Sequence, residues 1–148
     1  MDVYDAKRVN ITLAALRLIM GVVFVAHGAQ KLFGLFGGGG PTGTGQFLAG
    51  LGLTPGVPWA YVSGIAEFVG GLLLFFGILT PIAALIIMVD MVFALIFRTS
   101  KLGFINLGGM ELNLLIIMIC LGLALLGSGR FSLESVIRPK RGVPPVTT

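Results

Sequence analysis

Apolar residues gather into four long runs, at residues 11–33, 57–79, 82–97 and 110–126, separated by glycine, proline and polar punctuation. At about 1.5 Å per helical residue the longer three cover a hydrocarbon core of ~30 Å, which predicts membrane-spanning helices. The expected fold is all-α: an integral membrane four-helix bundle with a short interfacial helix in the outer loop. Polar residues interrupt the pattern at Arg17 in the first run, Glu67 in the second and Asp90 in the third, and Glu111 opens the fourth. An unpaired ion at the bilayer centre costs at least roughly 2.5–3.5 kcal/mol, so each internal charge needs a partner or a wet cavity.

The punctuation predicts how the runs connect. Asn10 reads as an N-cap for the first helix. Thr80-Pro81 supplies a cap and an N1 proline for the third, which leaves almost no loop and makes the second and third helices an antiparallel hairpin. Gly127-Ser128-Gly129 stops the fourth helix, and the basic, proline-bearing segment 138–148 reads as a disordered cytoplasmic tail behind a domain at 1–137. The segment 34–56 formally contains G-x-G-x-x-G, but a span and not a strand precedes it and no phosphate-loop lysine follows, so nucleotide binding is not expected. Within it, Phe47, Leu48 and Leu51 share one helical face, as a helix lying in the interface or covering the outer mouth would require. Trp59 and Tyr61 begin the second span, where an aromatic belt belongs.

Helical spacing places small residues beside the charges. Ala14, Arg17, Gly21 and Gly28 share a face of the first helix; Ala60, Gly64, Glu67 and Gly71 share one of the second; Ala83, Asp90 and Ala94 align on the third. Such faces let helices approach closely, so the charges are expected to look inward. Counted from the cytoplasmic ends, Arg17 comes to ~10 Å, Asp90 to ~12–13 Å and Glu67 to ~17 Å, which predicts a buried ion pair of Arg17 with Glu67, Asp90 or both. On the outer half, Asn113 comes to ~20 Å, Glu111 to ~22–24 Å, His27 to ~25 Å and Lys31 to ~31 Å, which predicts a second polar cluster lining a ligand site.

Composition strengthens the membrane reading. Of 148 residues 56% are hydrophobic and 11% charged, and the mean hydropathy is +1.03; soluble domains carry about 25% charged residues. The net charge of +4 reflects topology and not nucleic-acid binding. Lys7, Arg8, Arg130, Arg138, Lys140 and Arg141 flank the spans on the side of the termini, against Lys31, Arg98 and Lys101 on the other, so both termini are expected in the cytoplasm. The lone Cys120 has no disulfide partner within the chain and reads as a packing residue.

The residues also resemble a known family. Arg17-Leu18-Ile19-Met20-Gly21, His27-Gly28-Ala29-Gln30-Lys31-Leu32-Phe33 and Gly43-Thr44-Gly45-Gln46-Phe47 are similar to the first half of the DoxX family. Glu67-Phe68-Val69-Gly70-Gly71-Leu72, Gly108-Gly109-Met110-Glu111-Leu112-Asn113 and Gly127-Ser128-Gly129-Arg130-Phe131 continue the likeness, which spans about residues 13–137. The chain departs from the pattern after the double glycine of the outer loop and at Arg98-Thr99-Ser100-Lys101, where histidine is frequent in the family. The resemblance implies a small four-helix protein of the bacterial plasma (inner) membrane linked to quinone reduction. One member type is a subunit of thiosulfate:quinone oxidoreductase, and others partner soluble sulfur or oxidative-stress enzymes.

The residues narrow the chemistry by exclusion. One histidine does not supply the two axial imidazoles of a bundled b-type haem, and one cysteine does not hold an iron–sulfur cluster, so no tightly bound cofactor and no metal site are expected. The carrier left is a lipid-soluble quinone, hydrogen-bonded to His27, Glu111 or Asn113 beside Lys31, with a partner subunit delivering electrons. The rival classes are a non-catalytic accessory subunit of a larger respiratory or photosynthetic complex and a small transporter. The continuous spans and unrepeated outer loop weigh against the last.

Overall fold

The structure, a computed structural model, describes residues 3–98 and 110–137. The expectations for Gly108-Gly109, for Thr99 to Lys101 and for the tail 138–148 fall outside the described residues. Every regular element among the described residues is helical: α1 Val3–Phe33, α2 Gly40–Gly50, α3 Gly56–Phe76, α4 Thr80–Phe97, α5 Met110–Leu126 and α6 Leu133–Ile137, with a 3-10 turn at Leu35–Gly37. Three of these, α1, α3 and α4, are long and apolar enough to cross a membrane, whereas α5 is apolar but has 17 residues.

The first helix starts earlier than the sequence suggested. Helical geometry begins at Val3, with Asp5 in the first turn where a carboxylate suits the dipole. Asn10 therefore lies inside α1 and caps nothing. Its amide donates to the Ala6 carbonyl at 2.6 Å, and its side-chain oxygen accepts the Arg130 N–H at 2.7 Å, tying α1 to the segment after α5. The α3–α4 hairpin forms as expected, through Gly77 in the left-handed region (φ 66°), but the N-cap of α4 is Leu79 and Thr80 is its first helical residue. Gly127, at φ 77°, follows the end of α5.

Small residues set the helix pairing. Antiparallel α1 and α3 meet along their length, and a Cβ on Gly21 would lie 2.7 Å from the Phe75 Cβ, while one on Gly71 would lie 2.7 Å from the Val25 nitrogen. The backbones approach this closely because one partner in each contact is a glycine without a side chain. This register sets Arg17 level with Gly77 at one end and Lys31 level with Gly64 at the other. Helix α4 packs on α3 and on α5, and α2 rests against α3 and α1. The core holds Leu13, Met20, Phe24, Leu74, Ala83, Ile87, Met91 and Leu123; Cys120 is buried among them as a free thiol.

Candidate functional site

The end of the molecule where α1 and α4 finish contains a cleft of about 490 Å³ between α2, α3 and α4. Helix α2 forms one wall with Phe47, Leu48 and Leu51, placed by the single apolar face of that segment. Helix α3 contributes Trp59, Val62, Ser63 and Ala66, and α4 contributes Leu85, Val89, Asp90, Phe93 and Arg98. These positions recur every three or four residues, so each helix presents one continuous ridge. The volume lies within the ~300–1,000 Å³ of ordinary small-molecule sites, which combine apolar walls with a few placed polar groups.

The polar groups gather around Lys31, which α1 sends into the cleft. Its ammonium lies 2.8 Å from the Glu67 carboxylate, whose side chain is 4% exposed, and donates to Ser63 Oγ at 2.7 Å. Ser63 and Glu67 sit four residues apart on α3 and so face Lys31 together. The Asp90 carboxyl comes in from α4 beside Ser63 and Glu67, within the field of Lys31. Three helices thus bring one ammonium, one hydroxyl and the Asp90 carboxyl to the floor of an apolar cleft, with the Glu67 carboxylate buried behind Lys31. At its rim the Arg98 guanidinium stands 5.7 Å from the centroid of the Phe47 ring, so the end of α4 reaches α2.

The expected ion pair of Arg17 with Glu67 or Asp90 is replaced by a different arrangement. The buried Arg17 guanidinium donates to the Phe131 carbonyl beyond α5, and its Nε and Nη1 have no hydrogen-bond partner. The α1–α3 pairing decides this: Gly21 lies opposite Phe75 and Gly28 opposite Phe68, so Glu67 is level with about residue 29 of α1. Arg17 is then roughly 18 Å away along the helix axis, out of reach, whereas Lys31 lies beside Glu67.

The four residues expected around an outer ligand are distributed. Lys31 lines the cleft. His27 is exposed on α1 and interacts with the Gln30 side chain. Asn113 is buried and donates to the Met91 carbonyl at 3.2 Å, bridging α5 to α4. Glu111 is half-buried, with Oε2 enclosed and without a hydrogen-bond partner among the described residues. Sequence reasoning passed over Ser63, Ala66 and Phe93; the i, i+4 spacing of Ser63 with Glu67 was the available signal. Among the described residues no group of three or more His, Cys, Asp or Glu side chains is placed to hold a metal ion.

Residues 12–99 match the DoxX family, which covers more than half of the chain. The chain belongs to the DoxX family. A Bacillus subtilis relative named "Putative oxidoreductase CatD" is 33% identical over 131 residues, covering 88% of this chain and 90% of its own. A Haemophilus influenzae relative named only "Uncharacterized protein" is 30% identical over 131 residues, covering 83% of this chain and 88% of its own. No solved structure matches. The stretch that matches DoxX runs from α1 to the end of α4, so it contains Lys31, Ser63, Glu67, Asp90 and Arg98, whereas Glu111 and Asn113 lie beyond it.

Proposed function

We propose that this DoxX protein is a membrane subunit that receives a lipid-soluble quinone as substrate in the cleft between α2, α3 and α4, while a partner protein supplies the electrons. The observation that carries this reading is the apolar cleft lined by Lys31, Ser63 and Asp90, with the buried Glu67 carboxylate paired to Lys31 behind them. Its walls suit a flat ring entering from the bilayer, with Trp59, Phe47 and Phe93 available for stacking. An ammonium has three N–H donors; Ser63 accepts one while Glu67 is paired by charge, so a donor remains for a quinone carbonyl. The oxidoreductase name of the Bacillus relative points the same way. In this reading the domain at 1–137 has four spans in a bacterial plasma membrane, α2 lies at the outer interface, and both termini are cytoplasmic.

The test is purification from native membranes in mild detergent, followed by extraction and quantification of bound quinone. Wild type is expected to retain quinone, and Ala66→Phe to lose it while still assembling. Wild-type protein without quinone that also fails to bind added decylubiquinone overturns the proposal.

A complex-subunit reading is favoured by one observation, the exposed imidazole of His27 on α1. A polar side chain on the face of a membrane helix is best satisfied by a neighbouring protein. A photocrosslinking residue at position 27 is expected to capture the electron-delivering partner in intact membranes; capture of lipid alone argues against it.

A further inference from the structure

Asp90 is the one carboxyl in this polar floor that both lines the cleft and reaches the buried interior. Glu67 is almost fully enclosed, and the ammonium of Lys31 holds it at 2.8 Å. Asp90 touches the same group of atoms from the other side, next to Ser63 and Glu67, yet its own edge faces the space a ligand would fill. Among the described residues the charges facing this floor are Lys31 from α1, Glu67 from α3, Asp90 from α4 and Arg98 at its C-cap, and α2 carries no titratable side chain. Lys31 is already committed to Glu67, and Arg98 stands at the rim over Phe47. Among the described residues the two adjoining carboxyls therefore face a single ammonium, an arrangement that accommodates one mobile proton between them.

Building on the proposed quinone reading, we propose that Asp90 is the proton-exchanging group of the cleft and that Lys31 and Ser63 position it. When the substrate takes two electrons from the partner's reductant, a dithiol in the simplest case, both carbonyl oxygens must also gain protons. One O–H bond forms as the O–H bond of Asp90 breaks, and the second proton comes from water at the cleft mouth. Asp90 is then reprotonated from the same water, and the dithiol leaves as a disulfide having lost two electrons and two protons. Glu67 stays paired with Lys31 throughout and keeps the floor polar while the walls exclude bulk water.

This assignment separates binding from proton exchange. Lys31 supplies the hydrogen bond that holds the carbonyl, whereas Asp90 governs where the proton goes. Asp90→Asn retains size and hydrogen-bonding capacity but removes the exchangeable acid.

The experiment is electrochemically induced infrared difference spectroscopy on the purified protein loaded with decylubiquinone, with the electrode as electron source. Wild type is expected to show a carboxyl C=O band that changes when the bound quinone is reduced. Asp90→Asn, compared at equal bound decylubiquinone reached by raising its concentration, is expected to lose that band, and Asp90→Glu to restore one at a shifted position. Persistence of the band in Asp90→Asn, or its absence from quinone-loaded wild type, overturns the assignment while leaving the binding site standing. Failure of wild type to bind decylubiquinone overturns the quinone reading and this assignment with it.

Discussion

Lys31 and Glu67 form an ion pair of 2.8 Å that joins α1 to α3 inside the apolar part of the molecule. The contact exists because the α1–α3 register, set by facing glycines, puts Lys31 level with Gly64, and the lysine arm then runs back toward the start of its own helix. One turn further down α3 it meets the carboxylate.

Removing one partner of such a pair strands a charge. Lys31→Met is expected to destabilise the protein by about 3–5 kcal/mol, and the double replacement Lys31→Met with Glu67→Leu to recover much of that loss. Thermal unfolding in detergent, followed by circular dichroism, checks the order: wild type and double variant close together, single variant well below.

Gly77 shares its space with the Arg17 guanidinium, and it adopts a left-handed backbone at φ 66°. Gly77→Ala combines the intrinsic penalty of that conformation, roughly 1–2 kcal/mol, with displacement of Arg17 from the Phe131 carbonyl. The expected readout is a lower unfolding temperature together with faster proteolysis within residues 127–137. Unchanged proteolysis would mean that Arg17 does not hold that segment.

Gly28 packs directly on the Phe68 backbone, where a Cβ would lie 2.6 Å from the Phe68 Cβ. Gly28→Val has no flexible neighbour to push aside, so α1 and α3 must separate and the ion pair of Lys31 with Glu67 must break. Folded yield after detergent extraction is expected to fall to near background, with Gly122→Val, at a glycine with open space around it, as the tolerated control.

Ala66 lines the cleft one residue before Glu67. Ala66→Phe adds a ring to the cleft without touching the ion pair. Unfolding temperature is expected to stay near that of wild type while bound quinone falls several-fold, measured by solvent extraction and chromatography. Equal quinone content in both would place the ligand elsewhere.

Much of the fold is legible in the chain by itself. The length and hydropathy of the apolar runs dictate membrane-crossing helices, because the backbone must satisfy its own hydrogen bonds where water is absent. Glycines such as Gly21, Gly28, Gly64 and Gly71, spaced along one face, announce close helix contact before any coordinates exist. Thr80-Pro81 and Gly127 mark helix ends through local backbone preference alone. What the tertiary structure decided is which charge meets which. Arg17 and Lys31 stand on the same helix, and sequence counting gave each a level but not a direction. The α1–α3 register, with Gly21 opposite Phe75 and Gly28 opposite Phe68, leaves Arg17 beside the Phe131 carbonyl and Lys31 beside Glu67. The cleft was equally illegible, because a cavity exists only where ridges of three separate helices, with Phe47, Trp59 and Phe93 among them, fail to interdigitate.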